Sequence, residues 1–424
     1  MRRAVLIRGA RQLLTLHGPP GPRRGTGLRN LGIIQDGAVL VFDGLIREVG
    51  PSRRLENLAL ARTADEIDAS GRVVMPGFVD SLTHLVAGPA RLVDYEMQMA
   101  GATEQQIELA GGGLLAVARA IQDSSPRTLE AQAVHAIETA FRHGTTTLES
   151  RSGFGLTEAG ENKILRVHST LQKRAMPVVS TFLTAQTPPD YKDRSDQYIH
   201  RLCSHVLPSI KRRKLAEFAD IGRSENTFTV EQARRYLTAA HGLGFDLKLH
   251  AGLRPNAGAI RMAVELGAAS VDDVIDVTED DARVLAQSPT IATILPGRGF
   301  YLRDQVTPPA RMLADHGVAI ALASNYNTAT SPSQNMQMAI ALACRNMNLT
   351  AAEAITATTI NAAHALRLES DIGSLETGKS ADLLVISVPD YREIPYHFGV
   401  NLVELVMKRG AVVVKKSEVK WPAS

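Results

Sequence analysis

The 424-residue chain has little of what builds cross-links, membrane spans or polyanion surfaces. Its two cysteines, Cys203 and Cys344, are too few for a metal cluster, and their separation gives no reason to pair them, so a reducing cytoplasmic setting is predicted. No apolar run approaches the roughly 20 residues of a membrane helix, which predicts no membrane partner. The N-terminal apolar stretch is broken by Arg8 and Arg11 and lacks a small-residue cleavage site, so it is not read as a signal peptide. A formal charge of +3 is too small at this size to argue for nucleic acid. The dense basic run, Lys211-Arg212-Arg213-Lys214, has no interleaved aromatic residues and reads as a solvated helix face. No internal repeat is visible.

Hydrophobic content of 44% and charged content of 21% describe a globular chain, and its length exceeds a typical single core. Residues 1–72 read as a small β domain, with runs AVLI, GAVLVF and LIREVG punctuated by glycine. Gly18–Gly27 (GPPGPRRGTG) reads as an exposed, mobile loop. From Val73 onward, apolar runs alternate with helical stretches ending in glycine. The strand candidates are VVMPGFVD (73–80), TTTLES (145–150), MPVVSTFLT (176–184), KLAEFAD (214–220), FDLKLHAG (245–252), ASVDDVIDV (269–277), TIATILP (290–296) and VAIALASN (318–325). Eight strands with intervening helices predict an α/β fold, a TIM-like (β/α)₈ barrel over 73–372. Residues 373–424 return to β signals (GSLETGKSADLLVIS, ELVMKRGAVVVKK). They are predicted to join 1–72 in one composite β-sandwich, two unrelated appendages being the alternative.

The run Val73–His84, VVMPGFVDSLTH, resembles the first barrel strand of the amidohydrolase superfamily, which normally reads P-G-F/L-V-D-x-H-T-H. GSLETGKSADLLVIS resembles its terminal motif. Met99–Thr103, Gly111–Gly113, Glu149–Leu156 (ESRSGFGL) and Thr359–Ala363 (TINAA) are similar to the imidazolonepropionases of histidine degradation. That resemblance implies hydrolysis of a cyclic, non-peptide C–N bond. In such a site a divalent metal, zinc or iron, lowers the pKa of bound water from about 15.7 toward 7.

Carried over position by position, the resemblance implies metal ligands at His84 and His250. Leu82 and Asn325 stand where the superfamily has a histidine and an aspartate. Leu253 replaces a catalytic Glu, Asp273 a catalytic His, and Gln186 another His. The implied substrate-binding residues are Arg91, which grips a carboxylate, with Arg151 in place of a Lys, Phe154 in place of a Tyr, and Asn327; Glu104 replaces a tyrosine. Arg suits a carboxylate through its bidentate fork.

Each residue also has a plainer reading. His84 and His250 could be hydrogen-bonded barrel histidines, and Arg91 could pair with Asp94 or Glu96. Glu149 is either a catalytic acid or a structural partner of Arg151. Asp272, Asp273 and Asp276 form either a new acid/base group or a partly solvated loop, and Asn325 and Asn327 could satisfy backbone groups. With His250, Asp273 and Glu149 as catalytic candidates, three functions stand. The first is a metal-dependent hydrolase, which the substitutions predict to be lost or strongly impaired. The second is a hydrolase with a rebuilt or metal-free site acting on a small carboxylate-bearing substrate, and the third a non-catalytic binding or assembly protein. The predicted cofactor is none, or a weakly held divalent metal. The predicted partner is a small molecule, with a homodimer left open.

Overall fold

Two sheets organise the chain, and the polypeptide passes from one to the other at Gly77. The computed structural model describes residues 4–174, 176–222, 228–252, 258–303 and 306–416. The first sheet is mixed and takes strands from both chain ends. It contains Ala4–Leu14 (β1), Ile33–Phe42 (β2), Leu45–Pro51 (β3), Asp65–Asp68 (β4) and Val73–Pro76 (β5). The second is all parallel: Phe78–Asp80 (β6), Thr145–Arg151 (β7), Val178–Thr184 (β8), Phe218–Gly222 (β9), Asp246–His250 (β10), Ser270–Asp272 (β11), Ile291–Ile294 (β12) and Ile320–Leu322 (β13). Leu383–Ile386 (β14), Val403–Lys408 (β15) and Ala411–Lys415 (β16) return to the first sheet.

The composite sheet runs β16-β15-β14-β5-β1-β2-β3, with β4 beside β1. Its two layers are thus continuous through β5 and β1, and they close over one core that includes Ile7, Leu13, Val39, Val74, Leu383 and Met407. The run predicted as the first barrel strand is therefore divided. Val73–Pro76 pairs with β1 and β14, and only Phe78–Asp80 enters the barrel. Gly77 is the crossing point because a Cβ there would overlap Thr146 on β7. The ASVDDVIDV strand is likewise shorter than its apolar run. Asp273 has φ +59, a left-handed conformation that Asp tolerates and that ends β11 at Asp272.

The barrel follows chain order from β6 to β13. Its two ends meet where the Asn325 N–H donates to the Leu82 carbonyl at 3.0 Å. Just below, the Asp80 carboxylate accepts the Ser324 N–H at 3.0 Å and the Ser324 hydroxyl at 2.5 Å. Burial pushes the Asp80 pKa up to about 7 even though the Ser324 hydrogen bonds pull it down. Among the described residues no helix is long and apolar enough to cross a membrane.

The Gly/Pro-rich stretch is not the mobile loop its composition suggests. Leu16, Leu28 and Leu31 are buried in the barrel's core cluster. Arg23 and Asn361 exchange hydrogen bonds: the Arg23 N–H donates to Asn361 Oδ1 (2.8 Å), and Asn361 Nδ2 donates to the Arg23 carbonyl (2.9 Å) and to the Ile320 carbonyl (2.9 Å). Arg24 donates to the carbonyls of Ala286 and Ser288. Composition marks where the backbone lacks regular pairing, but here side chains of the barrel supply it. Asn361→Ala strands buried backbone groups on both segments and should cost about 2–3 kcal/mol. Native-state trypsin cleavage after Arg23 or Arg24 should accelerate in that variant; an unchanged rate would show that Asn361 does not hold the strap.

Candidate active site at the barrel mouth

The barrel interior below the mouth is ionic. Side chains repeat direction every two residues, so β7 turns both Glu149 and Arg151 inward, and β10 turns both Lys248 and His250 inward. Arg151 has no exposed surface. Its fork reaches three strands: Nε to Glu149 Oε2 (2.8 Å), Nη1 to Asp220 Oδ2 (2.5 Å) and Nη2 to Asp272 Oδ2 (2.7 Å). Lys248 Nζ lies 3.4 Å from Glu149 Oε1 and 4.9 Å from the centre of the Phe218 ring, and Thr181 donates to the same Glu149 oxygen. Burial opposes the Asp272 carboxylate, but the charges of Arg151 and Lys248 outweigh it and hold its pKa below the ordinary value. Burial also opposes the Arg151 cation, and its carboxylate partners reverse that and raise its pKa.

This geometry corrects two expectations. Arg151 does not line the mouth as a substrate ligand, because every arm of its guanidinium is spent on a carboxylate in the barrel interior. Glu149, equally buried, is its structural partner and has no surface from which to exchange a proton with a ligand. Of the three residues read as either an acid/base group or a partly solvated loop, Asp272 and Asp273 are buried and Asp276 is partly exposed.

Above this floor lies a cavity of about 310 Å³, bounded by His84, Phe154, His250, Asp273, Arg298 and Asn325. The His84 ring packs on Phe154, centroids 4.5 Å apart, and its Nδ1–H donates to the Ser152 carbonyl at 3.2 Å. Burial lowers its pKa to about 3, with the Arg151 charge adding to the effect, so the imidazole is neutral. With Nδ1 donating, Nε2 carries the lone pair. Asp273 Oδ2 stands 3.7 Å from His250 Nε2 and 3.6 Å from Arg298 Nε.

Four strand ends thus bring His84, His250, Asp273 and Asn325 around one cavity, as barrel-strand C-termini do. Asn327 also borders it, but its amide is consumed locally. Oδ1 accepts the N–H groups of Ala329 and Thr330, and Nδ2 donates to the Asn325 carbonyl and Thr330 Oγ1. Arg91 is elsewhere. Its Nε donates to Asp94 Oδ2 at 2.7 Å, the ion-pair reading of this residue, beside a separate groove containing Tyr95 and Tyr301. Gln186 does not border the cavity, although Ala185 does, and Glu104 is exposed in the first turn of a short helix. Leu253 lies outside the described residues. Arg298 was not anticipated; its signal is its position in Pro296-Gly297-Arg298, directly after β12.

For a divalent cation the cavity offers fewer donors than the resemblance implies. The imidazoles of His84 and His250, the Asp273 carboxylate and the Asn325 amide face the cavity, and Leu82 is buried against Leu295 and Ala323. Among the described residues no group of three or more His, Cys, Asp or Glu side chains could hold a metal ion. Catalytic zinc ordinarily takes three protein ligands.

Removing the Arg151 charge leaves three carboxylates facing one lysine. Arg151→Met should cost about 3–5 kcal/mol at neutral pH, whereas Arg151→Lys, which keeps the charge, should cost less. Because the Asp272 pKa is depressed in the fold, its contribution is present above the unfolded value near 3.8 and is lost as pH falls through the depressed one. Chemical denaturation from pH 7 to pH 3 should therefore show the gap between wild type and Arg151→Met shrinking with acid. A gap constant with pH would mean that packing, not charge, makes the difference.

Comparison with known proteins agrees with this architecture. Residues 73–413 match the Amidohydrolase family. The chain is 39% identical to an imidazolonepropionase of Geobacillus thermodenitrificans (strain NG80-2), across 98% of this chain and 99% of that one. It is 37% identical to an imidazolonepropionase of Symbiobacterium thermophilum, across 98% of each. Among solved structures, E. coli guanine deaminase superposes with a TM-score of 0.70 at 16% identity, covering 98% of this chain and 100% of that one. An adenosine deaminase from Xanthomonas campestris, with bound zinc, superposes with a TM-score of 0.66 at 18% identity, covering 97% and 93%. At these identities the structural likeness speaks to fold alone.

Proposed function

The chain belongs to the amidohydrolase family, and from that premise we propose that it is an imidazolonepropionase-like protein whose mouth cavity binds a small carboxylate-bearing molecule without the metal-dependent hydrolysis of its relatives. The observation that carries this reading is the donor count. His84 and His250 share the cavity with Asp273 and Asn325, while the position two residues before His84 is the buried, apolar Leu82. An amide contributes no negative charge and cannot act as a base.

The residues that remain favour recognition over chemistry. Arg298 places a guanidinium beside the cavity, held near Asp273, and a guanidinium is the group best matched to a carboxylate. His84 offers a fixed lone pair to a ligand N–H, and Phe154 covers its ring. The cytoplasmic location and the absence of a nucleic-acid partner are kept as part of the same proposal, consistent with two unpaired cysteines and near-neutral charge.

One observation favours a second reading. Asp273 beside His250, at 3.7 Å, is the arrangement of an acid/base pair that could assist hydrolysis with no metal. The two readings separate in one series with imidazole-4-propionate and a hydrolysable imidazolone. Binding without chemistry should raise the melting temperature, by the equivalent of about 2.7 kcal/mol at a hundredfold excess over Kd. Arg298→Ala should abolish the rise, and no turnover should be seen. Turnover that survives chelator and disappears in Asp273→Asn would establish the second reading. Turnover lost with chelator would overturn both.

A further inference from the structure

Glu161 is a carboxylate that the cavity does not use, and it is buried without a cationic partner among the described residues. It lies in the first turn of the helix Glu158–Lys173, whose cap is the Thr157 hydroxyl accepting the Gly160 N–H at 3.1 Å. Burial pushes its pKa up to about 7 against the hydrogen bonds it accepts, so the fold holds this group at a cost. A helix start needs no buried glutamate once the cap is made, and the compensation lies outside the helix.

Both of its oxygens are spent on one loop. Oε2 accepts the Gly153 N–H at 2.6 Å and Oε1 accepts the Leu156 N–H at 2.8 Å. That loop links β7 to the helix, and its backbone is otherwise unfavourable. Gly153 has φ +108 and Leu156 φ +55, and Gly155 packs so closely on Gly160 that a methyl group on either would overlap the other's backbone. The residues flanking Gly153 are the two that hold His84. Ser152 supplies the carbonyl that fixes its tautomer, and Phe154 supplies the ring against its face.

We propose that Glu161 is the positioning residue of the mouth site. By clamping the Gly153 and Leu156 amides from behind, it sets the Ser152 carbonyl and the Phe154 ring, and through them the orientation and tautomer of His84. It does not border the cavity and touches no ligand there. The proposal rests on the reading of that cavity as a ligand site only for its functional consequence; the clamp itself is independent of any ligand.

The test uses the full-length protein with ¹³C-labelled histidine. Phe154→Leu identifies the His84 ring signals, because it removes the ring current on them. Glu161→Gln keeps one acceptor and turns an NH₂ toward the second amide, so it should shift the same signals by a comparable amount. Glu353→Gln, a remote change at a helix start paired with Arg29 and Arg311, should leave them in place. In wild type, hydrogen exchange over residues 152–156 should be as slow as in β7, a measurement that needs no variant to fold. Imidazole-4-propionate should bind Glu161→Gln about tenfold more weakly, because a displaced His84 ring loses about one hydrogen bond to it. Unmoved His84 signals in folded Glu161→Gln, or fast exchange of the loop in wild type, would overturn the proposal. If the signals move but wild type binds no imidazole-4-propionate, the clamp stands and the reading of the cavity falls.

Discussion

The guanidinium of Arg151 is the constraint on which the barrel's interior depends. Desolvating a cation and three carboxylates is costly, and their mutual attraction repays the cost only when the geometry is close and the donors are matched. Here each arm of a planar fork finds a carboxylate on a different strand, or on its own strand two residues back, at 2.5 to 2.8 Å. The consequence is register. A one-residue slip of β7, β9 or β11 would turn Arg151, Asp220 or Asp272 out of the barrel and leave the others unpaired in a dry interior. The apolar residues on the outer faces of the strands fix that the barrel closes, and the ionic residues fix how.

The same network sets the character of the cavity above it. Arg151 lies beneath the His84 ring, and its charge adds to burial in keeping that ring neutral. His250 and Asp273 continue from β10 and β11, the strands that deliver Lys248 and Asp272 to the floor, and the register pairs His250 with Asp272 directly. The mouth residues are therefore held by strand ends over a buried ionic layer. What they present is a fixed lone pair, an Asp–His–Arg grouping and an aromatic wall.

Much of this was legible in the sequence, and the rest was hidden for identifiable reasons. All eight barrel strands were located from the sequence, most of them as apolar runs, but TTTLES carries the inward Glu149, and KLAEFAD (214–220) proves to be Phe218–Gly222. The division of Val73–Asp80 between two sheets did not show, since both halves are equally apolar and only the close approach of Gly77 to Thr146 separates them. His84, His250, Asp273 and Asn325 were singled out by the family resemblance, and their meeting at one mouth follows from where their strands end. The fates of Arg91, Glu149 and Arg151 did not, because an arginine that grips a ligand and one that grips a neighbour are the same letter. Asp220 and Asp272, which decide the matter for Arg151, lie 69 and 121 residues further along the chain. The strap at Gly18–Gly27 was misread for a related reason: its barrel partners, Asn361 above all, are more than 260 residues away.

We propose that Leu82 and Asn325, standing where the resemblance implies an imidazole and a carboxylate, leave the mouth of this barrel without a tight divalent-cation site. Isothermal titration of the purified protein with zinc tests it most directly, alongside the double variant Leu82→His with Asn325→Asp. The account predicts weak, substoichiometric binding by wild type and a tight, one-to-one site in the double variant. Tight one-to-one zinc binding by wild type, abolished by His84→Ala or His250→Ala, would contradict it.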